Sequence, residues 1–314
     1  MWAYYEPLYL LLTISRQRRA ISGGLAKWEG RGLQNLHSPV QIRKPPVLIQ
    51  FVVCRLRLIV HLTTSQKQLV VRGENMSKTQ KIENDIRQFL KKNADESVIK
   101  KYSRYFKEGY DPYGVAFEKI TPKIDEWFNT CQEELSQKEL LILCDHLMSS
   151  GKYEEANITC AFMARLRNQY SKSLFNTVGK WFERYVTNWA HCDSACHNIL
   201  YTFLTDGVIE FKDLLVWANS PHRWKRRAAA VTLIKDFSKS GSVPQALQVA
   251  RKLILDQEKV VQQGVGWLLR EAWKRSPQKV EDFLYEWKDQ APRLIIQYAT
   301  EKIDKEKREK FRRG

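Results

Sequence analysis

The sequence predicts an all-α fold, a curved solenoid-like stack of antiparallel helix pairs, and three observations predict it. From Met76 onward the apolar residues recur almost everywhere at helical spacing. Glycine and proline punctuate the periodic segments rather than interrupt them. No strand-rich section and no Rossmann-type glycine loop breaks the pattern. Short sequential helices of this kind cannot each bury an apolar face alone, and stacking them in pairs gives one continuous core.

The elements follow in order. Met76-Ser77-Lys78 leads directly into a helix in which Ile82, Ile86, Phe89 and Leu90 share one face. Ser136 and Glu139, ahead of Leu140-Leu141-Ile142-Leu143, form a capping-box pattern that marks another helix start. Amphipathic stretches recur around 153–167, 171–186, 193–205, 209–218, 223–238, 244–255, 257–274, 277–287 and 291–303. No fixed sequence repeats, which suits degenerate HEAT-like repeats and would also suit an irregular helical bundle. A curved stack has a concave surface, and a basic one can cradle a duplex.

Residues 1–75 read differently from 76–314. Gly23-Gly24, Gly30-Arg31-Gly32 and Pro45-Pro46 interrupt them, and no helical period survives for long. Three readings compete: a translated segment upstream of a start at Met76, a cleaved targeting peptide, or a basic arm, and the first is favoured. Residues 48–60 could add a β-strand or two. The expected domain is therefore 76–314, with 1–75 a disordered or mis-assigned extension.

Composition narrows the partners. The chain of 314 residues has 52 Lys and Arg against 35 Asp and Glu, a formal charge of +17, which favours polyanions. Residues 1–75 carry +8 of this, so the basic surface of the remainder is local. Six cysteines, with no C-x-x-C pair, are too few for a disulfide scaffold and fit a reducing cytoplasm. No run approaches the roughly 20 apolar residues of a membrane span. Neither a serine–histidine–acid pattern, a P-loop nor H-E-x-x-H occurs, so the usual hydrolase and nucleotide readings lose support.

Three stretches could carry chemistry. Trp189 and Asp193 lie four residues apart and share a face if the segment is helical; Asp193 or Ser194 could equally cap a helix, with Trp189 filling the core. In 217–230, Asn219 or Ser220 can cap, Pro221 fits a first turn, and Arg223-Trp224-Lys225-Arg226-Arg227 places cations where the helix dipole disfavours them. That cluster is a solvated face or a phosphate contact. In 262–274, Gly264 and Gly266 each cost about 1 kcal/mol relative to alanine inside a helix, so something should approach the backbone there. Trp267 beside them is a core filler or an exposed platform. His191, Cys192, Cys196 and His197 do not reproduce the halves of a zinc site and read as ordinary buried groups.

Together these stretches resemble the bacterial DNA alkylation repair glycosylases with HEAT-like repeats, over most of residues 76–314. The family's Trp-x-x-x-Asp pair falls on Trp189 and Asp193, its Trp-x-x-Arg-Ala-Ala arginine on Arg227, and its Gly-Trp-x-x-Arg-Glu segment on Gly266-Trp267-Leu268-Leu269-Arg270-Glu271. A looser match puts a DNA-facing aromatic at Tyr105. The extension before Met76 and the lack of an extra aromatic and acid around Trp189 depart from the family. The resemblance implies hydrolysis of the N-glycosidic bond of cationic purines such as 3-methyladenine and 7-methylguanine in duplex DNA. It implies Asp193, Trp189, Trp267 and Arg227 as the catalytic set, with Arg227 on a phosphate, and Tyr105, Arg226 and Arg270 as further DNA contacts. It implies no cofactor or metal, no obligate protein partner, and a monomer acting at the bacterial nucleoid. A non-catalytic scaffold for bent or branched DNA and a solenoid for an acidic protein partner are the competing readings.

Overall fold

The computed structural model of the chain describes residues 76–238 and 241–311, in which every regular element is helical. The expectations for residues 1–75, including a strand within 48–60, lie outside the described residues. In chain order the helices are α1 (Lys78–Lys92), α2 (Glu96–Ser103), α3 (Phe117–Glu134), α4 (Gln137–Ser149), α5 (Tyr153–Arg165) and α6 (Lys172–Arg184). They continue as α7 (Trp189–Ala195), a π-helical turn (Cys196–Leu200), α8 (Tyr201–Thr205), α9 (Phe211–Ala218), α10 (Arg223–Ile234), α11 (Val243–Leu253) and α12 (Lys259–Arg275). Helices α13 (Pro277–Trp287), α14 (Arg293–Ala299) and α15 (Lys305–Glu309) complete the array.

Local chemistry sets many of the boundaries. Ser77 caps α1 reciprocally with Gln80, and Ser136 caps α4 reciprocally with Glu139, as the sequence pattern predicts. Ile82, Ile86 and Leu90 form the buried stripe of α1, and Phe89 meets Trp127 of α3 edge-on at 5.4 Å. Pro277 opens α13 at its first turn, where the missing N–H costs nothing. Most boundaries fall within a few residues of the expected stretches, and the capping at two starts differs from the sequence reading. The segment expected from 193 begins at Trp189, because Asn188 caps it by accepting from the His191 N–H. Helix α10 begins at Arg223 with His222 at the N-cap, so Pro221 stays outside; the Ser220 hydroxyl accepts from the His222 N–H instead.

The helices stack in two layers. Helices α5, α7, α10, α12 and α14 each pack on the next, and α4, α9, α11 and α13 lie against them as antiparallel partners. This is the solenoid-like stack of helix pairs that the periodicity predicts. Polar contacts join neighbouring helices across the stack. Arg165 reaches Asp125 and Lys225 reaches Glu183, 40 and 42 residues apart. Further along, Arg227 reaches Asp193 and Arg270 reaches Glu301 across 34 and 31 residues.

Small residues let the layer of α10, α12 and α14 close. Ala228, Ala229 and Ala230 of α10 are each fully buried. On α12 the two glycines serve opposite neighbours: a Cβ on Gly264 would meet Arg227 Cγ of α10 at 3.3 Å, and one on Gly266 would meet Tyr298 Cβ of α14 at 2.5 Å and the Ile295 carbonyl at 2.9 Å. Both satisfy the expectation that something approaches the backbone. The Gly266→Ala change therefore destabilises the protein by about 1–3 kcal/mol despite its better helix propensity, because backbone and a Cβ must move. Gly264→Ala stays within about 1 kcal/mol of the parent, since propensity offsets a milder contact. Urea unfolding of the two variants checks this; equal losses would show that the distinction between the two faces is wrong.

Candidate functional site

The layer of α5, α7, α10, α12 and α14 carries four of the singled-out residues. Trp189 and Asp193 lie on α7, Arg227 at the fifth position of α10, and Trp267 midway along α12. Because α7 packs on α10 and α10 on α12, Arg227 becomes the neighbour of Asp193, 34 residues earlier.

Asp193 is 1% exposed and grips Arg227 through two parallel bonds: Nε donates to Oδ1 at 2.8 Å and Nη2 to Oδ2 at 2.7 Å. The third guanidinium nitrogen, Nη1, donates to the Val260 carbonyl in the first turn of α12 at 2.5 Å. Arg227 itself is 5% exposed. Such a fork holds the carboxylate plane rigidly, and a lysine could not reproduce it. Asp193 is thus neither a helix cap nor a surface acid. Arg227, expected on a phosphate, has the orientation of Asp193 as its main contact.

The surroundings of the pair exclude other charge. His191 is buried and its imidazole pKa is pushed down to about 4 by burial, with Nδ1 lacking a hydrogen-bond partner among the described residues. Burial also lowers His197 to about 4, against the attraction of the Asp193 carboxylate. Neither ring is a cation at neutral pH, so the positive partner of Asp193 is Arg227. The Cys192 thiol points at the Trp224 carbonyl and the Cys196 thiol at the Ala228 carbonyl, and burial raises Cys192 well above its ordinary range. These are contacts of packed thiols between α7 and α10. Among the described residues no group of three His, Cys, Asp or Glu side chains could hold a metal ion.

The two tryptophans differ. Trp267 is 7% exposed and meets the His197 ring edge-on at 5.7 Å, close to the core-filler reading. Trp189 is half-buried, donates its indole N–H to the Tyr105 carbonyl at 3.1 Å, and stacks one face on Phe106 with ring centroids 5.0 Å apart. The buried Asp193–Arg227 pair thus has Trp189 one turn earlier on α7 and Trp267 on α12, the next helix in the layer, within a basic protein. That arrangement can stabilise positive charge at short range while the molecule attracts polyanions at long range.

The sequence profile of the DNA alkylation repair enzyme family matches residues 86–303, more than two thirds of the chain. The chain belongs to that family. A search among curated proteins found no match. The family segment contains the whole site and all of α3–α14. Among the described residues no helix is long and apolar enough to cross a membrane.

The remaining expected DNA contacts of this family member are placed less openly. Arg226 pairs with Asp256 at 2.6 Å and donates to the Ser220 and Pro221 carbonyls at 3.0 and 2.9 Å, which ties the α9–α10 turn to the α11–α12 turn. Arg270 is 3% exposed and pairs with Glu301 and Glu271 at 2.5 and 3.3 Å. Tyr105 is half-buried, and its hydroxyl accepts from Arg104. Of the cluster at 223–227, Arg223 is the most open cation, with 44% of its side chain exposed beside Glu258. Sequence reasoning missed Phe106, on which Trp189 stacks, Tyr110 and Tyr153, whose rings pack on Phe106, and the buried Glu154. The available signal was the aromatic density of Tyr102, Tyr105, Phe106, Tyr110 and Tyr113 just ahead of Gly114.

His191 makes stability acid-sensitive with a calculable sign. Its folded pKa lies below the unfolded value of about 6.5, so below that pH the unfolded chain binds a proton the folded one refuses. Stability contributed by the neutral ring is whole above about pH 6.5 and falls by about 1.4 kcal/mol per pH unit down to about pH 4. Thermal unfolding from pH 7 to 4.5 should show a shallower loss in a His191→Gln variant, and parallel pH profiles for the two proteins would refute this account.

Proposed function

We propose that the protein is a DNA glycosylase that hydrolyses the N-glycosidic bond of cationic alkylated purines, 3-methyladenine and 7-methylguanine, in duplex DNA. The single observation that carries the reading is the buried carboxylate of Asp193, held in one orientation by Arg227, within a member of the DNA alkylation repair enzyme family.

The chemistry fits the groups present. A purine alkylated at N3 or N7 already bears positive charge and departs as a neutral base, so no general acid is required. What remains is to stabilise the oxocarbenium-like sugar and to place water, and a fixed carboxylate does both. The indole of Trp189 offers π density that gains attraction as positive charge develops on the sugar. Arg227 holds the carboxylate in a single orientation before the substrate arrives, so no reorganisation is needed at the reacting moment. The net charge of +17 draws the phosphate backbone to the protein.

One observation favours the second reading, a non-catalytic scaffold for bent or branched DNA: the Asp193 side chain is only 2% exposed. On that reading the pair fastens α7 to α10, and DNA sees only the basic surface.

Release of free 7-methylguanine and 3-methyladenine from methylated duplex separates the two. The parent is expected to release both, while Asp193→Asn slows release by about 10²–10³-fold and keeps its affinity for DNA. A folded, DNA-binding parent that releases neither base supports the scaffold, and full activity of Asp193→Asn would remove the carboxylate from the chemistry. Arg227→Ala should lose excision together with about 3–5 kcal/mol of stability, because it leaves a buried carboxylate uncompensated. Unchanged urea unfolding of that variant would contradict the buried pair.

A further inference from the structure

The plane of Trp189 is set from outside its own helix. Its indole N–H is held by the carbonyl of Tyr105, 84 residues earlier, and its ring stacks on Phe106, with the rings 14° from parallel. Phe106 in turn stacks on Tyr110 at 4.1 Å and 7°. These rings belong to the irregular segment between α2 and α3, so the segment's own anchorage decides where Trp189 stands.

That anchorage is a carboxylate. Glu154, the second residue of α5, is 1% exposed and accepts three successive backbone N–H groups: Tyr113 and Gly114 at 2.8 Å and Val115 at 3.0 Å. Three consecutive amides converge on one anion only where the chain turns through a left-handed residue. Gly114 supplies it with φ +83°, and a Cβ there would lie 2.4 Å from the Asp95 carbonyl. The preceding residue on α5 works one level lower. The Tyr153 N–H donates to the Asp111 carbonyl at 3.0 Å, and its ring abuts Phe106 and Tyr110 edge-on at 5.9 and 5.5 Å.

We propose that Glu154 is a positioning residue for Trp189: its carboxylate fixes residues 113–115, and through them the Phe106–Tyr110 stack, against the indole. The inference deepens the glycosylase reading and rests on it for its kinetic consequence. Loss of the clamp lets Phe106 leave the indole, which degrades the alignment of the aromatic face with the sugar and leaves phosphate contacts elsewhere intact.

The test uses the full chain as wild type, Glu154→Ala, Glu154→Gln and Phe106→Leu, each also in a Trp189→Phe background so that the difference isolates the Trp189 signal. Acrylamide quenching reports the exposure of Trp189; single-turnover release of 7-methylguanine at saturating enzyme and the Kd for duplex are measured separately. Glu154→Ala is expected to raise Trp189 quenching and to slow single-turnover release about tenfold, with Kd within about twofold. Phe106→Leu should follow it. Glu154→Gln keeps one oxygen for Gly114 and Val115 but sets an NH2 group against the Tyr113 N–H, so it should fall between, about threefold slow. Wild-type quenching and rate in the Gln variant, or in a folded Ala variant, would overturn the proposal, and the Gln arm decides the matter if the Ala variant does not fold. If wild type releases no base, the glycosylase reading fails while the quenching arm still decides whether Glu154 positions Trp189.

Discussion

The buried fork between Asp193 and Arg227 is the constraint around which the centre of the molecule is arranged. Taking a carboxylate and a guanidinium out of water costs several kcal/mol per ion, and only good geometry with further hydrogen bonds offsets it. The two parallel bonds and the Val260 carbonyl supply these, and each comes from a different helix: α7, α10 and α12. Those helices can therefore neither slide nor rotate independently. The small residues follow from this. Gly264 lets α12 approach the Arg227 stem, and the run of alanines at 228–230 lets α10 sit close to both sides. The cost of burying the pair is a weak argument for stability and a strong one for a single defined arrangement.

How much of this is legible in the sequence depends on how local each signal is. Helix existence is local: the stripe of Ile82, Ile86 and Leu90 and the Ser136–Glu139 box declare themselves within a few residues. Helix α3 is harder, because Pro122 sits inside its second turn and obscures the period, yet Trp127 bonded to Asp85 and the buried Ile120 and Ile124 hold it. The start of α7 is hard to place because Asn188 and Asp193 are both good caps; Asn188 takes the role, while Asp193 pairs with Arg227. The members of the site are visible as types, a carboxylate beside tryptophans and an arginine before alanines. Their pairing is not, since nothing near Arg227 announces a partner 34 residues back. For the same reason Arg226 and Arg270 read as open cations although Asp256 and Glu301 neutralise them.

The segment from 104 to 116 shows the opposite case, where irregular backbone carries the precise contact. It has no period to read, and its order comes from carboxylates on α5: Glu154 on three amides, and Glu155 on the Arg87 guanidinium and the Tyr113 hydroxyl. Negative charge at the start of a helix is favourable in itself. Here it also satisfies loop amides that would otherwise be buried without partners, which is costly. One pair of adjacent glutamates thus stabilises α5 and orders the loop that backs Trp189.

On the proposed reading, pairing Asp193 with arginine looks self-defeating, since a neutral pair should stabilise a cation less than a lone carboxylate would. Distances decide how much is lost. At an effective dielectric of about 20, a carboxylate about 4 Å from a cationic sugar attracts it by about 4 kcal/mol, and a guanidinium behind it at about 8 Å repels by about 2. About half the attraction survives, still worth roughly thirtyfold in rate. A lone buried carboxylate would forfeit more, because it would take up a proton or draw in water. Long-range attraction follows a different rule: beyond a Debye length of about 8 Å the pair is invisible and only the basic surface acts. Phosphates respond to the whole protein, whereas a cation at the sugar responds to the order of two charges, carboxylate first and guanidinium behind.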